Sequence, residues 1–196
     1  MRYKADITAG ALKVPESRLI ADLLLRNLDE QAWHDAILVQ NILQARSTQT
    51  AKRLTLLIRG RLQGMETDLW RLVRDGSQVV AIHAAFAAAV KASALLGDFL
   101  DLVVREHYRV FSPTLPSKDW NDYIDECRGR DPAMPAWQDT TLIRLRSSVF
   151  QILAQAGYIE NTRTRKLQPV HLAPEVLQYL HQHDESYVLR CIQVSP

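Results

Sequence analysis

The residues best suited to chemistry in this chain of 196 residues are its clustered acids, its histidines and its arginines, and each group points to a different activity. Asp119, Asp122, Asp125 and Glu126 have the carboxylate density of a nuclease that works through two metal ions, which needs convergent oxygen ligands. They also stand at the start of a helix, where acids complement the helix dipole, and that structural role is the one expected of them. His181 and His183 are two positions apart, whereas two ligands on one helical face need a spacing of four, so no metal site is expected. Asp98, Asp101, Glu106 and His107 share a helix end with Arg105 and Arg109, at spacings that make ordinary ion pairs. The segment GRLQGM around Gly60 lacks the Gly-Lys-Ser/Thr ending of a phosphate-binding loop, no GxGxxG occurs, and no serine sits in a GxSxG turn. Nothing assembles a nucleophile, a base and a stabilising group, so the chain is expected not to be an enzyme and to need no cofactor.

The lysines and arginines offer another chemistry, the neutralisation of phosphates. Overall charge does not demand it, because 24 Lys and Arg stand against 22 Asp and Glu for a net charge of +2. Their distribution is more telling. No acid occurs between Asp35 and Glu66, while Arg46, Lys52, Arg53, Arg59 and Arg61 all fall in that window. On a helix over 48–63, Leu54, Leu57, Ile58 and Leu62 form the buried stripe, and Lys52 and Arg59, seven positions apart, project together from the other side. Arg61 points nearer the stripe, where it snorkels or pairs with an acid. A basic helix face also serves solubility alone, and for this helix by itself the two readings stand level.

A second basic region changes the balance. On a helix over 137–156, Leu142, Leu145, Val149, Ile152 and Leu153 face the core and leave Arg144, Ser147, Ser148, Gln151 and Gln155 outside. Arginine contacts guanine or phosphate, glutamine reaches adenine, and serine donates to phosphate. The turn that follows carries Arg163, Arg165 and Lys166 among Asn161, Thr162 and Thr164, a composition suited to DNA backbone contacts or simply to keeping an exposed hairpin soluble. Helix and turn together make double-stranded DNA the expected partner. The residues expected to bind it are Lys52, Arg53, Arg59, Arg144, Ser148, Gln151, Arg163, Arg165 and Lys166. Such binding runs mainly through phosphates, falls steeply with salt and carries little sequence specificity. Trp33, Trp70, Trp120 and Trp137 lie in apolar helical contexts and are expected to anchor the core, not to stack on bases.

These residues need a scaffold, and 47% apolar content suffices for a packed core. Helical periodicity predicts helices near 15–28, 30–45, 48–63, 65–75, 77–96 and 98–110, with Pro15 and Ser17 at the first helix start and Gly60, Gly64 and Gly76 punctuating later joins. The segment from Ala81 to Ala94, with eight alanines, is the expected hub, because small side chains let neighbours approach closely. FSPTLPSKDW reads as a connecting loop and divides a helical domain, 1–112, from a second domain, 113–196. The second holds a helix near 118–128, a loop at DPAMP, the helix over 137–156, a two-stranded hairpin in YIENTRTRKLQPVHL, and helices near 174–182 and 185–193. The fold class is therefore mainly α: a helical domain followed by a winged-helix-like domain with one short β-hairpin. Val79 to Val104 is interrupted by His83, Lys91, Asp98 and Asp101 and reads as a buried helix, not a membrane span. With no apolar leader after the first basic residues, and two distant cysteines, Cys127 and Cys191, a reduced cytoplasmic protein is expected.

Three segments, RYKADITAGALKVPESRLIADLLL, DWNDYIDEC and LRSSVFQILAQAGYIE, in that order, resemble the BrxA family of BREX phage-defence systems, and the likeness covers essentially the whole chain. The resemblance implies a small helical component encoded beside a methyltransferase, a large ATPase, a phosphatase-like protein and a Lon-like protease. It also implies a helical part that is NusB-like and a DNA-binding role without catalysis. Other proteins of the same defence system are implied as partners, and the chain itself is expected to be a monomer. Two other readings stand beside this one: an adaptor that docks a larger defence enzyme, and an RNA-binding factor of the antitermination kind.

Overall fold

Side-chain caps mark where the helices begin in a computed structural model that describes residues 2–7 and 10–194. Met1 before the opening motif, Thr8 and Ala9 within it, and Ser195 and Pro196 at the end of the expected second domain, lie outside the described residues. Pro15 occupies the first turn of α1 (Val14–Leu25), where its missing N–H is not needed. Asp29 accepts from the Ala32 N–H at 2.8 Å to open α2 (Glu30–His34), which continues as a π-helical turn over Asp35–Val39. Ser47 caps α3 (Thr48–Leu62), and α4 (Thr67–Asp75) ends at Gly76. Ser77 caps α5 (Gln78–Ala92). Gly60 lies inside α3 and does not mark a join.

Ser93 both ends α5 and caps α6 (Ala94–Phe99), which runs through a π-helical turn, Leu100–Val104, into α7 (Arg105–Arg109). The chain bends there by 104°, so the break expected near Gly97 falls four residues earlier. No single helix among the described residues is long and apolar enough to cross a membrane, although α5 and the α6–α7 run pass that test as a bent pair. The expected hub is present: Ala81, Ala84, Ala87, Ala88 and Ala89 on α5 are fully buried. α5 packs against α1, α3, α4 and α6, and against two later helices, α10 (Pro174–Gln182) and α11 (Ser186–Ile192).

Gly97 serves a different purpose from a helix join. A Cβ there would collide with the Tyr187 hydroxyl, which donates to Asp98 Oδ1 at 2.9 Å. Asp98 is 5% exposed and also accepts from the Tyr3 hydroxyl at 2.8 Å and from Arg2 Nη2 at 2.8 Å. Burial alone would raise its pKa, but Arg2, Tyr3 and Tyr187 hold it below the usual carboxylate range. Asp98 is thus not a helix-surface partner of Arg105; it ties the N-terminal segment, α6 and α11 together. Asp101 and Arg105 do form the expected pair.

Beyond Phe111 come α8 (Lys118–Arg130) and α9 (Asp139–Gln155). Their aromatic side chains, and Tyr158 just after α9, enter the same core as α5 and α6: Phe99 meets Trp120 at 5.0 Å and Phe150 at 6.5 Å, and Phe86 meets Tyr158 at 5.2 Å. Trp33 and Trp120 are buried and Trp70 and Trp137 half-buried, as core anchors should be.

The described residues are mainly helical and contain no β-strand, so the expected hairpin is not built as two strands. The turn after α9 is closed by two isolated antiparallel bridges, Ile159 with Leu167 and Thr114 with Lys166. The segment expected to be a plain connector therefore pairs with the turn, through the Leu115 N–H to the Arg165 carbonyl at 3.0 Å and the Leu167 N–H to the Pro113 carbonyl at 3.1 Å. Pro113 and Pro116 have no N–H to donate, and Arg165 adopts a left-handed φ of 50°, so neither side can extend a ladder.

Candidate nucleic-acid interface

Two separate depressions on the surface hold Arg165 and, apart from it, Lys52 and Arg59, among the basic residues singled out by the sequence. The first lies between α9 and the turn at 160–166. Asn161 Oδ1 accepts from the Arg163 and Thr164 N–H groups at 2.9 and 2.8 Å, which fixes the tip of the turn. The Arg165 N–H donates to the Asn161 carbonyl at 3.0 Å, and its side chain then folds back over Phe150 on α9, 5.7 Å from the ring centroid. The result is a cleft of about 460 Å³ whose lining includes Arg146, Ser147, Phe150, Gln151, Thr162 and Arg165. The Arg165 Nε is buried with no hydrogen-bond partner among the described residues. Arg144, Arg163 and Lys166 are exposed around it.

Many of the surface arginines are paired with acids, and those of α9 and the 160–166 turn are not. Arg71, Arg74, Arg105, Arg109, Arg128, Arg130 and Arg190 each lie within 4 Å of an Asp or Glu. Among the described residues, Arg144, Arg146, Arg163, Arg165 and Lys166 pair with no carboxylate. The one acid in the turn, Glu160, instead accepts from the Thr164 hydroxyl at 2.7 Å.

Ser148 is a correction. It is 6% exposed and belongs to the buried face of α9 with Leu145, Val149, Phe150, Ile152 and Leu153. It follows Leu145 by three positions and precedes Ile152 by four, so helical geometry places it on that stripe whatever its polarity. Gln155 is exposed, but its side chain accepts from the Leu12 N–H at 2.9 Å. The Ser147 hydroxyl donates to the Ile143 carbonyl of its own helix. Arg146, which lines the cleft, has no part in the expected set, although Gln151 does; its i,i+4 spacing to Phe150, which also lines the cleft, carries the signal that it shares that side.

The second depression, about 250 Å³, lies between α2 with its π-helical turn and α3, and its lining includes Trp33, Ile37, Lys52, Thr55, Leu56 and Arg59. Lys52 and Arg53 are exposed as expected. Arg59 is half-buried, because its guanidinium lies over the Trp33 ring at 4.5 Å, and it does not project freely beside Lys52. Leu57 is half-buried and Leu56 is 77% exposed. Arg61 is buried: it donates to the Ala11 carbonyl at 3.1 Å, and burial lowers its pKa to about 10 against the opposing pull of Asp6.

The acids once grouped for a metal are dispersed. Asp119 meets His107 at 2.7 Å, Asp125 pairs with Arg128 and Glu126 with Arg130. No group of three or more His, Cys, Asp or Glu among the described residues could hold a metal ion. Cys127 and Cys191 are buried and free, and burial pushes the Cys191 thiol up to about 11. His183 stacks on Tyr179 with 4.3 Å between ring centroids.

Fold and surface together define a small, mainly helical protein with uncompensated cations on α3 and on the α9–turn element. Comparison with known proteins gives that class its family. The family model for BrxA matches residues 1–184, and the chain belongs to the BrxA family. It is 55% identical to the BREX protein BrxA of Paramagnetospirillum magneticum over 99% of this chain and 98% of that one. It is 38% identical to the BREX protein BrxA of Escherichia coli O9:H4 over 91% of this chain and 85% of the relative. A crystal structure of an uncharacterized protein from Magnetospirillum magneticum, 53% identical, matches with a TM-score of 0.94 over the full length of both chains.

Proposed function

We propose that this chain is a non-enzymatic component of a BREX phage-defence system that binds double-stranded DNA, and that α8, α9 and the 160–166 turn act as a winged helix in doing so. The helical part before Pro113, NusB-like by family resemblance, serves as the scaffold. The observation that carries the reading is the set of five cations on α9 and the turn after it, Arg144, Arg146, Arg163, Arg165 and Lys166, two of which line the cleft and none of which has a carboxylate partner among the described residues. Arginines left without acids beside a polar cleft suit phosphate oxygens, which accept paired N–H donors. Gln151 is exposed there and suited to an adenine edge, but the cations outnumber it, so phosphate contacts dominate and sequence preference is slight. Ser148, being buried, has no part in the contact.

The test is a mobility-shift titration on random-sequence duplex DNA at two salt concentrations, with structured RNA as competitor. Arg163→Ala, Arg165→Ala and Lys166→Ala together weaken binding at least about tenfold, since each lost phosphate contact removes counterion release. Absence of any shift at low salt sinks the DNA reading in favour of the adaptor; preferential competition by RNA moves it to the antitermination kind.

A further inference from the structure

The depression between α2 and α3 has the wrong chemistry for a nucleic acid. Leu56, which lines it, is 77% exposed, and Trp33, Ile37 and Leu38 of the opposite wall add apolar surface. Apolar side chains presented to phosphates gain nothing, whereas presented to a protein they are the usual core of a contact. The walls hold an arginine stacked on a tryptophan, and these two residue types carry the largest share of binding energy in protein interfaces. Arg59 Nε and Thr55 Oγ1 are both buried without a hydrogen-bond partner among the described residues, so the groove has unspent polar capacity next to its apolar floor. The π-helical turn at its edge is a backbone form that recurs at functional sites.

Charge tells what fits. No acid occurs anywhere in α3, and Lys52, Arg53 and Arg59 pair with no carboxylate among the described residues. On the opposite wall Glu30 lines the groove and His34 contacts Asp35. One wall is thus cationic, and the floor is apolar. We infer that this groove receives an amphipathic helical segment of a partner protein, with apolar side chains over Trp33 and Leu56 and carboxylates against Lys52, Arg53 and Arg59. At about 250 Å³ it takes two or three apolar side chains, the scale of a short helix seated through its i and i+4 positions. This assignment is independent of DNA binding and removes Lys52, Arg53 and Arg59 from the phosphate-binding set.

A displayed library of random peptides of about 16 residues, roughly four helical turns, is panned against the full-length protein, with the Leu56→Asp variant as counter-selection. Enriched peptides are synthesised and titrated by fluorescence anisotropy. They should combine Asp or Glu with Leu, Ile, Phe or Trp at spacings of three and four, and bind with Kd on the order of 1–100 µM. Leu56→Asp weakens them at least about tenfold and Leu56→Ser, which adds no charge, by about threefold. Both variants keep the parent circular dichroism and Tm, because position 56 faces solvent. Failure to enrich anything over the Leu56→Asp protein overturns the proposal, as does enrichment of basic or uncharged sequences. Displacement of the peptides by a duplex of about 20 bp reassigns the groove to nucleic acid and equally overturns it.

Discussion

The two basic regions use arginine in the same local arrangement and for different ends. In the cleft Arg165 lies over Phe150, and in the groove Arg59 lies over Trp33. Around Arg165 the lining is polar, with Arg146, Ser147, Gln151 and Thr162; around Arg59 it is apolar, with Ile37 and Leu56. An aromatic ring under a guanidinium therefore does not by itself say what the guanidinium binds. The residues beside it decide, because phosphates favour rows of donors and a protein partner favours an apolar floor with a charged edge.

The difference between the two is sharpest in what supports them. Phe150 is 4% exposed and packs on Phe99, so the floor of the cleft is part of the core. Phe150→Ala is expected to cost about 3–5 kcal/mol of stability in urea unfolding, and to loosen the 160–166 turn with it. Leu56, in the groove, carries almost no structural burden: Leu56→Asp changes stability by less than about 0.5 kcal/mol while weakening peptide binding at least about tenfold. Equal destabilisation by the two changes would erase the distinction. A smaller effect is expected where the two regions are alike, since Arg165→Ala and Arg59→Ala each uncover one ring and lose about 0.5–1 kcal/mol.

Acid supplies the mildest test. Burial lowers the pKa of His83 below its ordinary value of 6.5, and its Nδ1 accepts from the Ala173 N–H at 3.0 Å, so the folded protein holds the ring neutral. The unfolded chain takes up that proton first. Stability is therefore complete above about pH 6.5 and declines as pH falls below it. Tm measured between about pH 7.5 and about pH 5.5 should fall on acidification, and His83→Gln should flatten that part of the profile. A contact made by guanidinium groups does not titrate near neutral pH, so any loss of DNA binding over this range that precedes unfolding would speak against a purely arginine-based contact.

Much of the helical frame was legible in the sequence because it rests on periodicity and caps. The expected 48–63 and 174–182 helices match α3 and α10 to within a residue, and 137–156 contains α9. What sequence hides is which neighbour covers a given face. Ser148 read as exposed from its polarity, although its spacing from Leu145 and Ile152 placed it on the buried stripe. Arg59 read as free because Trp33, which captures it, comes from another helix 26 positions earlier. The expected helices over 77–96 and 98–110 meet at Gly97, but the capping Ser93 breaks the run and Gly97 admits Tyr187. The hairpin was over-read because alternating residues in 158–172 resemble strands, while the prolines that cut the pairing short lie in a segment some 45 residues away.

The most direct test of the division of labour between the two regions is a salt titration of DNA affinity for two triple variants. One carries Arg163→Ala, Arg165→Ala and Lys166→Ala in the cleft, the other Lys52→Ala, Arg53→Ala and Arg59→Ala in the groove. The expected result is that the slope of log affinity against log salt falls by about 2.7 for the cleft variant, at about 0.9 per phosphate contact, and keeps its parent value for the groove variant. A slope lost from the groove variant and retained by the cleft variant would place the phosphates on α3 and contradict the account.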